Sequence, residues 1–119
     1  MAQVEFSNSF KRRIKALSKR YRQIQNDIQP IINALESNQI IGDQIVGTDS
    51  SVFKVRAKNS DIPTGKSGGY RLVYQLVSPD LVVLLLIYAK SDQADVTLEE
   101  IRDLIDKASH STDNIKSDF

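Results

Sequence analysis

The sequence has no cysteine and only one histidine among its 119 residues. Absent cysteine excludes disulfide frameworks, cysteine zinc sites, iron–sulfur clusters and thiol nucleophiles. A single histidine, His110, excludes metal centres built from several histidines. Glycine and proline are also scarce, with 5 and 3 residues, which excludes collagen-like and low-complexity classes. We therefore expect a globular chain that folds on its own hydrophobic core, with no metal and no cofactor.

Long apolar runs are absent as well. The longest covers residues 81–89 (LVVLLLIYA), whereas a membrane helix needs about 20 apolar residues. This run is typical of a strand buried on both faces of a sheet. Residues 1–13 lack the apolar core of a signal peptide. The sequence predicts a soluble, cytoplasmic protein with no membrane partner, formed by one domain (1–109) and a polar, disordered tail (110–119).

The net charge of +1 hides a strong asymmetry along the chain. Residues 1–71 carry 12 basic and 6 acidic side chains, while residues 72–119 carry 4 basic and 9 acidic ones. Such a split indicates a polyanionic or acidic partner for the first part. The alternative is that these charges simply solvate exposed helix faces.

The first part shows helical periodicity. Apolar residues recur every three or four positions from Phe10 to Leu35, which predicts one apolar stripe on helix. Because Pro30 disfavours a helix interior, we expect two helices, or one bent helix, with a break between Lys19 and Pro30. The outer face of the first helix is basic, and either binds phosphate groups or keeps the surface soluble. Its cations are Lys11, Arg12, Arg13, Lys15, Lys19, Arg20 and Arg22.

The second part shows strand periodicity. Residues 36–51 read as a loop, and residues 52–58 (VFKVRAK) alternate strictly, so Lys54, Arg56 and Lys58 share one face of a strand. Like charges in a row repel each other, and this arrangement favours a face that meets a polyanion. A loop carrying Lys66 follows, and then a strand over residues 70–77 in which Arg71 can join the same face.

Short connections predict an antiparallel meander, closed by a turn at residues 78–81 and a strand at 82–88. Thr97 and Glu100 form the capping-box pattern of a last helix, and residues 4–6 suit a short edge strand. The predicted class is α+β, in the order β-α-α-β-β-β-α. Acidic residues near the last helix suit its dipole, with a hard-metal site as the alternative. They are Asp92, Asp95, Glu99, Glu100 and Asp103.

A phosphate-binding loop is suggested by residues 65–67 (GKS). That motif requires a further glycine where this chain has Ser60, and it requires a helix directly after the loop. Here a strand follows instead, so the pattern does not indicate nucleotide binding.

Several segments together resemble the RelE/ParE superfamily, and more narrowly the RelE- and HigB-like toxins of bacterial type II toxin–antitoxin pairs. The resemblance spans residues 3–107. It rests on FKRRIKALSKRY, GDQIVGT, VFKVRAKNSD, GKSGGYRLVYQLV and LLLIYAKSDQADVTLEEIRDLI.

The resemblance implies a helical pair packed on one side of a twisted antiparallel sheet, with a final helix. It also implies an endoribonuclease that cuts mRNA in the ribosome without a metal, by attack of the 2′-OH on the adjacent phosphate. Lys54 and Arg56 resemble the two basic residues of the second family strand, with Lys54 as a possible base. Arg71 resembles the arginine that stabilises the transition state.

The sequence departs from the family at two positions. Ser91 stands where an arginine is common, and Thr97 stands where a tyrosine is common. Lys90 is the expected substitute as phosphate clamp and proton donor, and Tyr88 is a second candidate for proton donation or base stacking. The resemblance further implies RNA or rRNA contacts, which we assign to Lys58, Lys66, Lys11, Arg12 and Lys15.

The implied partners are a cognate antitoxin, the ribosome with its rRNA, and mRNA. Two alternatives remain open at this point. The ParE branch of the superfamily inhibits DNA gyrase and cleaves no RNA, and an attenuated toxin would retain only its binding to the antitoxin.

Overall fold

The computed structural model describes residues 1–62 and 68–110. Within them the fold is α+β, as the sequence predicts, and no described helix is long and apolar enough to cross a membrane. The elements in chain order are β1 (Gln3–Phe6), α1 (Asn8–Ser18), α2 (Ile24–Glu36), β2 (Asp43–Ile45), β3 (Val52–Ala57), β4 (Tyr70–Ser78), β5 (Leu81–Ala89) and α3 (Leu98–His110). Of the predicted tail (110–119), His110 is the last residue of α3, and residues 111–119 lie outside the described residues.

The described strands form one mixed sheet in the order β1-β5-β4-β3-β2. β2 to β5 pair antiparallel, as predicted, and Pro79 and Asp80 connect β4 to β5. β1, however, pairs parallel with β5, with Gln3 opposite Leu81. The prediction of an entirely antiparallel sheet is therefore wrong at this edge. Tight turns impose antiparallel pairing, but the long connection from β1 to β5 does not.

The structure also contains a strand, β2, that the predicted order lacks. The observed order is therefore β-α-α-β-β-β-β-α. β2 lies inside residues 36–51, which the sequence predicts to be a loop. Three residues are too few to show a period of two, and the strand exists because Gln44 pairs with Phe53 and Ile45 with Val52. Gly42 and Gly47 flank it with φ of 89° and 93°, a left-handed conformation that suits glycine.

The sheet separates two hydrophobic clusters. α1 and α2 cover one face, where Phe10, Ile28 and Leu72 are buried, and α3 covers the other, where Val73 and Ile101 are buried. β5 is buried along almost its whole length because it serves both clusters, as its apolar run predicts.

The predicted break between the first two helices lies at residues 19–23. Pro30 is tolerated inside α2, where it removes the hydrogen bond to the carbonyl of Asn26. Both residues are exposed, so water can bond that carbonyl instead. At the break, buried Tyr21 meets Tyr70 edge-to-face, with ring centroids 5.8 Å apart.

Side-chain caps begin two of the helices, and the predicted capping box of the last helix is confirmed. Ser7 Oγ accepts a hydrogen bond from the Phe10 N–H at 3.1 Å and caps α1. Thr97 and Glu100 form the reciprocal capping box of α3, with both bonds at 3.1 Å. The hydroxyl of Thr97 is therefore committed to the helix start.

Candidate nucleic-acid interface

Adjacent strands bring three of the predicted cations together. Strand register places Arg56 opposite Arg71 and Arg71 opposite Tyr88, in one row across β3, β4 and β5. Lys54 lies two residues from Arg56 and so points to the same side of the sheet. This side is the one that α3 also covers, since Val73, opposite Lys54, belongs to the same cluster as Ile101. We call the group Lys54, Arg56 and Arg71 the cationic face.

The two arginines of this face differ in how they are held. Arg71 is half-buried and donates from Nη1 to the carbonyls of Gly68 at 2.9 Å and Tyr70 at 3.2 Å. These bonds tether the guanidinium, whose other N–H groups have no hydrogen-bond partner in the described part of the chain. Arg56 is exposed and makes no side-chain hydrogen bond or ion pair within residues 1–62 and 68–110.

Lys54 carries an internal counter-ion that the sequence does not reveal. Its Nζ lies 2.9 Å from Oδ1 of Asp95, in the loop before α3. The Lys54 side chain is 30% exposed and that of Asp95 is 65% exposed. The hydrogen bond from Lys54, and a second from the Val96 N–H at 2.8 Å, lower the pKa of Asp95. The sequence assigns Asp95 to the dipole of the last helix, and no local pattern links two residues so far apart.

Lys90 follows β5 directly and lies near Asp95, whose pKa its charge also lowers. Its Nζ donates to the Ala94 carbonyl at 2.7 Å, and its N–H donates to the Gly69 carbonyl at 2.9 Å. Lys90 therefore joins the border of the cationic face, where the sequence places it.

Tyr88 lies beneath these charges. It is 1% exposed, and its hydroxyl has no hydrogen-bond partner among the described residues. Burial raises the pKa of Tyr88, while the nearby charges of Lys54 and Arg71 act to lower it. In this conformation the Tyr88 ring is buried. Tyr88 can therefore contact an RNA base or a leaving oxygen only after the residues packed around it move.

The remaining predicted contacts lie elsewhere or beyond description. Lys58 is exposed, one residue past β3. Lys66 lies outside the described residues. Lys11, Arg12 and Lys15 belong to α1, which packs on the opposite side of the sheet from the cationic face. A ligand that touches both sets of cations must extend around an edge of the sheet.

The basic side of α1 continues to the break between the helices. Arg20 forms an ion pair with Asp92 at 2.8 Å and lies 4.8 Å from the ring centroid of Tyr21. At the other end of α1, Lys11 and Arg12 line a depression with Lys107 of α3.

An apolar groove of about 520 Å³ lies at the end of β4 farthest from Arg71. Ile40 and Val77 on its border are 59% and 49% exposed, which is high for large apolar side chains. The sequence analysis misses this groove because it forms between the loop after α2 and the turn after β4. Its aliphatic lining includes Leu35, Ile40, Leu76, Val77 and Val82.

Within the described residues, no group of three or more His, Asp or Glu side chains could hold a metal ion. Four of the five acidic residues near α3 have other partners: Glu100 forms the capping box, Asp92 pairs with Arg20, Asp95 with Lys54 and Asp103 with Lys107. Comparison of the chain with protein-family models and with curated proteins gives no match.

Proposed function

We propose that the protein is the toxin of a type II toxin–antitoxin pair and that it cuts mRNA on the ribosome. The observation that carries this proposal is the pairing of Arg56 with Arg71 on one face, beside Lys54. Like charges at paired positions of neighbouring strands destabilise a sheet. A bound phosphodiester reverses this cost, because the same cations then surround an anion.

The arrangement of elements supports a RelE-like fold. A helical pair packs on one face of the sheet, an antiparallel meander carries the cations, and a final helix follows. The strand β2 is an addition at the edge of the sheet, next to β3.

The chemistry that suits this face is attack of a 2′-OH on the adjacent phosphate. A bond forms between the 2′-oxygen and phosphorus, and the bond to the 5′-oxygen breaks, giving a cyclic phosphate. Arg71 and Arg56 stabilise the negative charge that develops on the phosphate oxygens. Arg71 suits this role because its tethered guanidinium is already oriented.

Two proton transfers complete the reaction. Lys90 gives a proton to the leaving 5′-oxygen. Lys54 takes the proton of the 2′-OH only after its own proton has passed to water, and in the resting structure its ammonium group is bound by Asp95. Until that ion pair opens, Lys54 acts as a fixed positive charge.

Cleavage of mRNA in a purified translation system, mapped by primer extension, tests the proposal. We expect cuts within translated codons that require ribosomes and disappear in Arg71→Ala. Arg102→Ala is the matched control, because it removes an exposed arginine of α3 outside the cationic face. No cuts by the folded wild-type protein on active ribosomes would reject the endonuclease and make gyrase supercoiling the next assay.

The proposal includes an antitoxin that binds through an amphipathic helix. The apolar groove is the described surface that best suits such a helix. Val77→Asp should abolish the complex with a co-expressed antitoxin, while Val46→Asp should leave it intact, since Val46 is 77% exposed but does not line the groove. Equal binding by both variants would place the antitoxin elsewhere.

A further inference from the structure

The loop that joins β5 to α3 supplies internal partners for two cations of the site. The carboxylate of Asp95 binds Lys54 at 2.9 Å, and the carbonyl of Ala94 binds Lys90 at 2.7 Å. Two consecutive residues of one loop thus accept hydrogen bonds from the ammonium groups of the two lysines beside the arginine pair.

Two hydrogen bonds within the loop hold Asp95 in place, one from a backbone N–H and one from a side-chain amide. Oδ1 of Asp95 accepts the Val96 N–H at 2.8 Å, and its carbonyl accepts Gln93 Nε2 at 3.0 Å. The carboxylate therefore presents a fixed anionic oxygen to Lys54. A phosphodiester presents the same charge and the same kind of acceptor, so the two anions compete for one ammonium group.

The position of this carboxylate matters because of what lies under it. Asp95 raises the pKa of the buried Tyr88 hydroxyl, and its 2.9 Å contact with Lys54 places it beside the row of Arg56, Arg71 and Tyr88. Asp95 is thus next to the row that a phosphate would have to approach.

We infer that Asp95 is a built-in competitor of the substrate phosphate and the residue that positions Lys54 in the resting site. Binding of the anion displaces the carboxylate from Lys54 and frees the loop from the cationic face. The inference rests on the proposed function only in naming that anion as an RNA phosphate.

The test measures affinity with a fluorescein-labelled 2′-O-methyl RNA oligonucleotide, which cannot be cut because its 2′-oxygen has no proton to lose. Fluorescence anisotropy compares the full chain with Asp95→Asn and Asp92→Asn. The second variant is the matched control, since it removes the same charge from the same loop but breaks the ion pair of Arg20. Thermal melting first shows that each variant is folded, and Asp95→Ser replaces Asp95→Asn if the latter does not fold.

We expect Asp95→Asn to bind the oligonucleotide about two- to fivefold more tightly than Asp92→Asn at low salt, as an exposed ion pair allows. In a Lys54→Gln background the difference in affinity between Asp95→Asn and Asp92→Asn should disappear. Equal affinities of the two variants, or a gain that persists without Lys54, would overturn the inference.

The cleavage assay separates this inference from the proposed function. Ribosome-dependent cuts together with equal affinities of the two variants overturn the inference alone. Tighter binding by Asp95→Asn without any cut overturns the endonuclease and supports the inference.

Discussion

Arg56 and Arg71 occupy directly paired positions on the neighbouring strands β3 and β4, so two positive charges lie side by side on one face of the sheet. Such a pair costs about 0.2–1 kcal/mol relative to a neutral pair. Arg56→Gln should therefore raise the free energy of unfolding by about that amount, measured by chemical denaturation. It should also weaken binding of the oligonucleotide and reduce the salt slope by about one counterion.

Lys58→Gln is the control for the stability part of this prediction. Lys58 lies past the end of β3 and has no paired residue on β4. A stabilisation of equal size in both variants would show that net charge, rather than the arginine pair, is responsible.

Two adjacent glycines before β4 should respond differently to alanine. Gly69 has φ of 72°, and a Cβ there would collide with the Ala57 carbonyl, whereas a Cβ on Gly68 would meet Ile62 at 3.5 Å, an ordinary contact. Gly69→Ala should lower the free energy of unfolding by about 1–3 kcal/mol, while Gly68→Ala should change it little. Because the Gly69 carbonyl also accepts the Lys90 N–H, cleavage should fall in Gly69→Ala. Equal melting temperatures of Gly69→Ala and Gly68→Ala would contradict the left-handed conformation of Gly69 and its close approach to the Ala57 carbonyl.

Buried tyrosine hydroxyls provide another paired test. Tyr74 Oη donates to the Ile41 carbonyl at 2.5 Å and accepts its N–H at 3.0 Å, while Tyr70 Oη has no partner among the described residues. Tyr74→Phe should cost about 1–3 kcal/mol because it leaves backbone groups of Ile41 unsatisfied. Tyr70→Phe should be neutral or stabilising for the opposite reason. Denaturation curves that rank the two variants the other way would contradict the bonding of Tyr74.

The ion pair of Asp95 has a definite pH dependence. Its pKa is lowered in the folded state, first by the hydrogen bond from Lys54. A carboxyl of this kind contributes stability above its unfolded pKa, and that contribution disappears as the pH falls through the folded pKa. Wild type should therefore exceed Asp95→Asn in stability near pH 6, by at most about 1 kcal/mol because the pair is exposed. The difference should decline as the pH falls below about 4, the ordinary pKa of an aspartate, because the unfolded chain then binds the proton more readily than the folded one. Denaturation across this range follows the decline.

Much of the fold follows from local patterns. The apolar stripe from Phe10, the apolar run of β5 and the capping box at Thr97 each identify their element, because period and cap chemistry are local. β2 escapes this reasoning because a three-residue strand owes its existence to its partner. The parallel pairing of β1 is not predictable in this way, because the sequence around Gln3 does not indicate that its partner strand lies near Leu81.

In the candidate site, too, local patterns predict some of the residues and tertiary structure alone brings in the others. Alternation alone brings Lys54 and Arg56 to one side of a strand, and the predicted meander adds Arg71. The sequence assigns Asp95 only to the start of the last helix, because its contact with Lys54 depends on the tertiary structure that brings its loop back to β3. The groove beside Val77 likewise forms between the loop after α2 and the turn after β4. Neither segment alone has a sequence pattern that predicts a groove.

The parallel pairing of β1 with β5 also bears on the order of assembly. The N-terminal strand finds its partner only near residue 81, so this edge of the sheet waits during synthesis until most of the chain has emerged. The hairpins of β2 to β5 close over shorter stretches and carry a smaller loop-closure entropy. The arginine pair belongs to these hairpins, so it can form before β1 joins the sheet, whereas α1 and α2 have their full packing surface only with β5 and β1 in place.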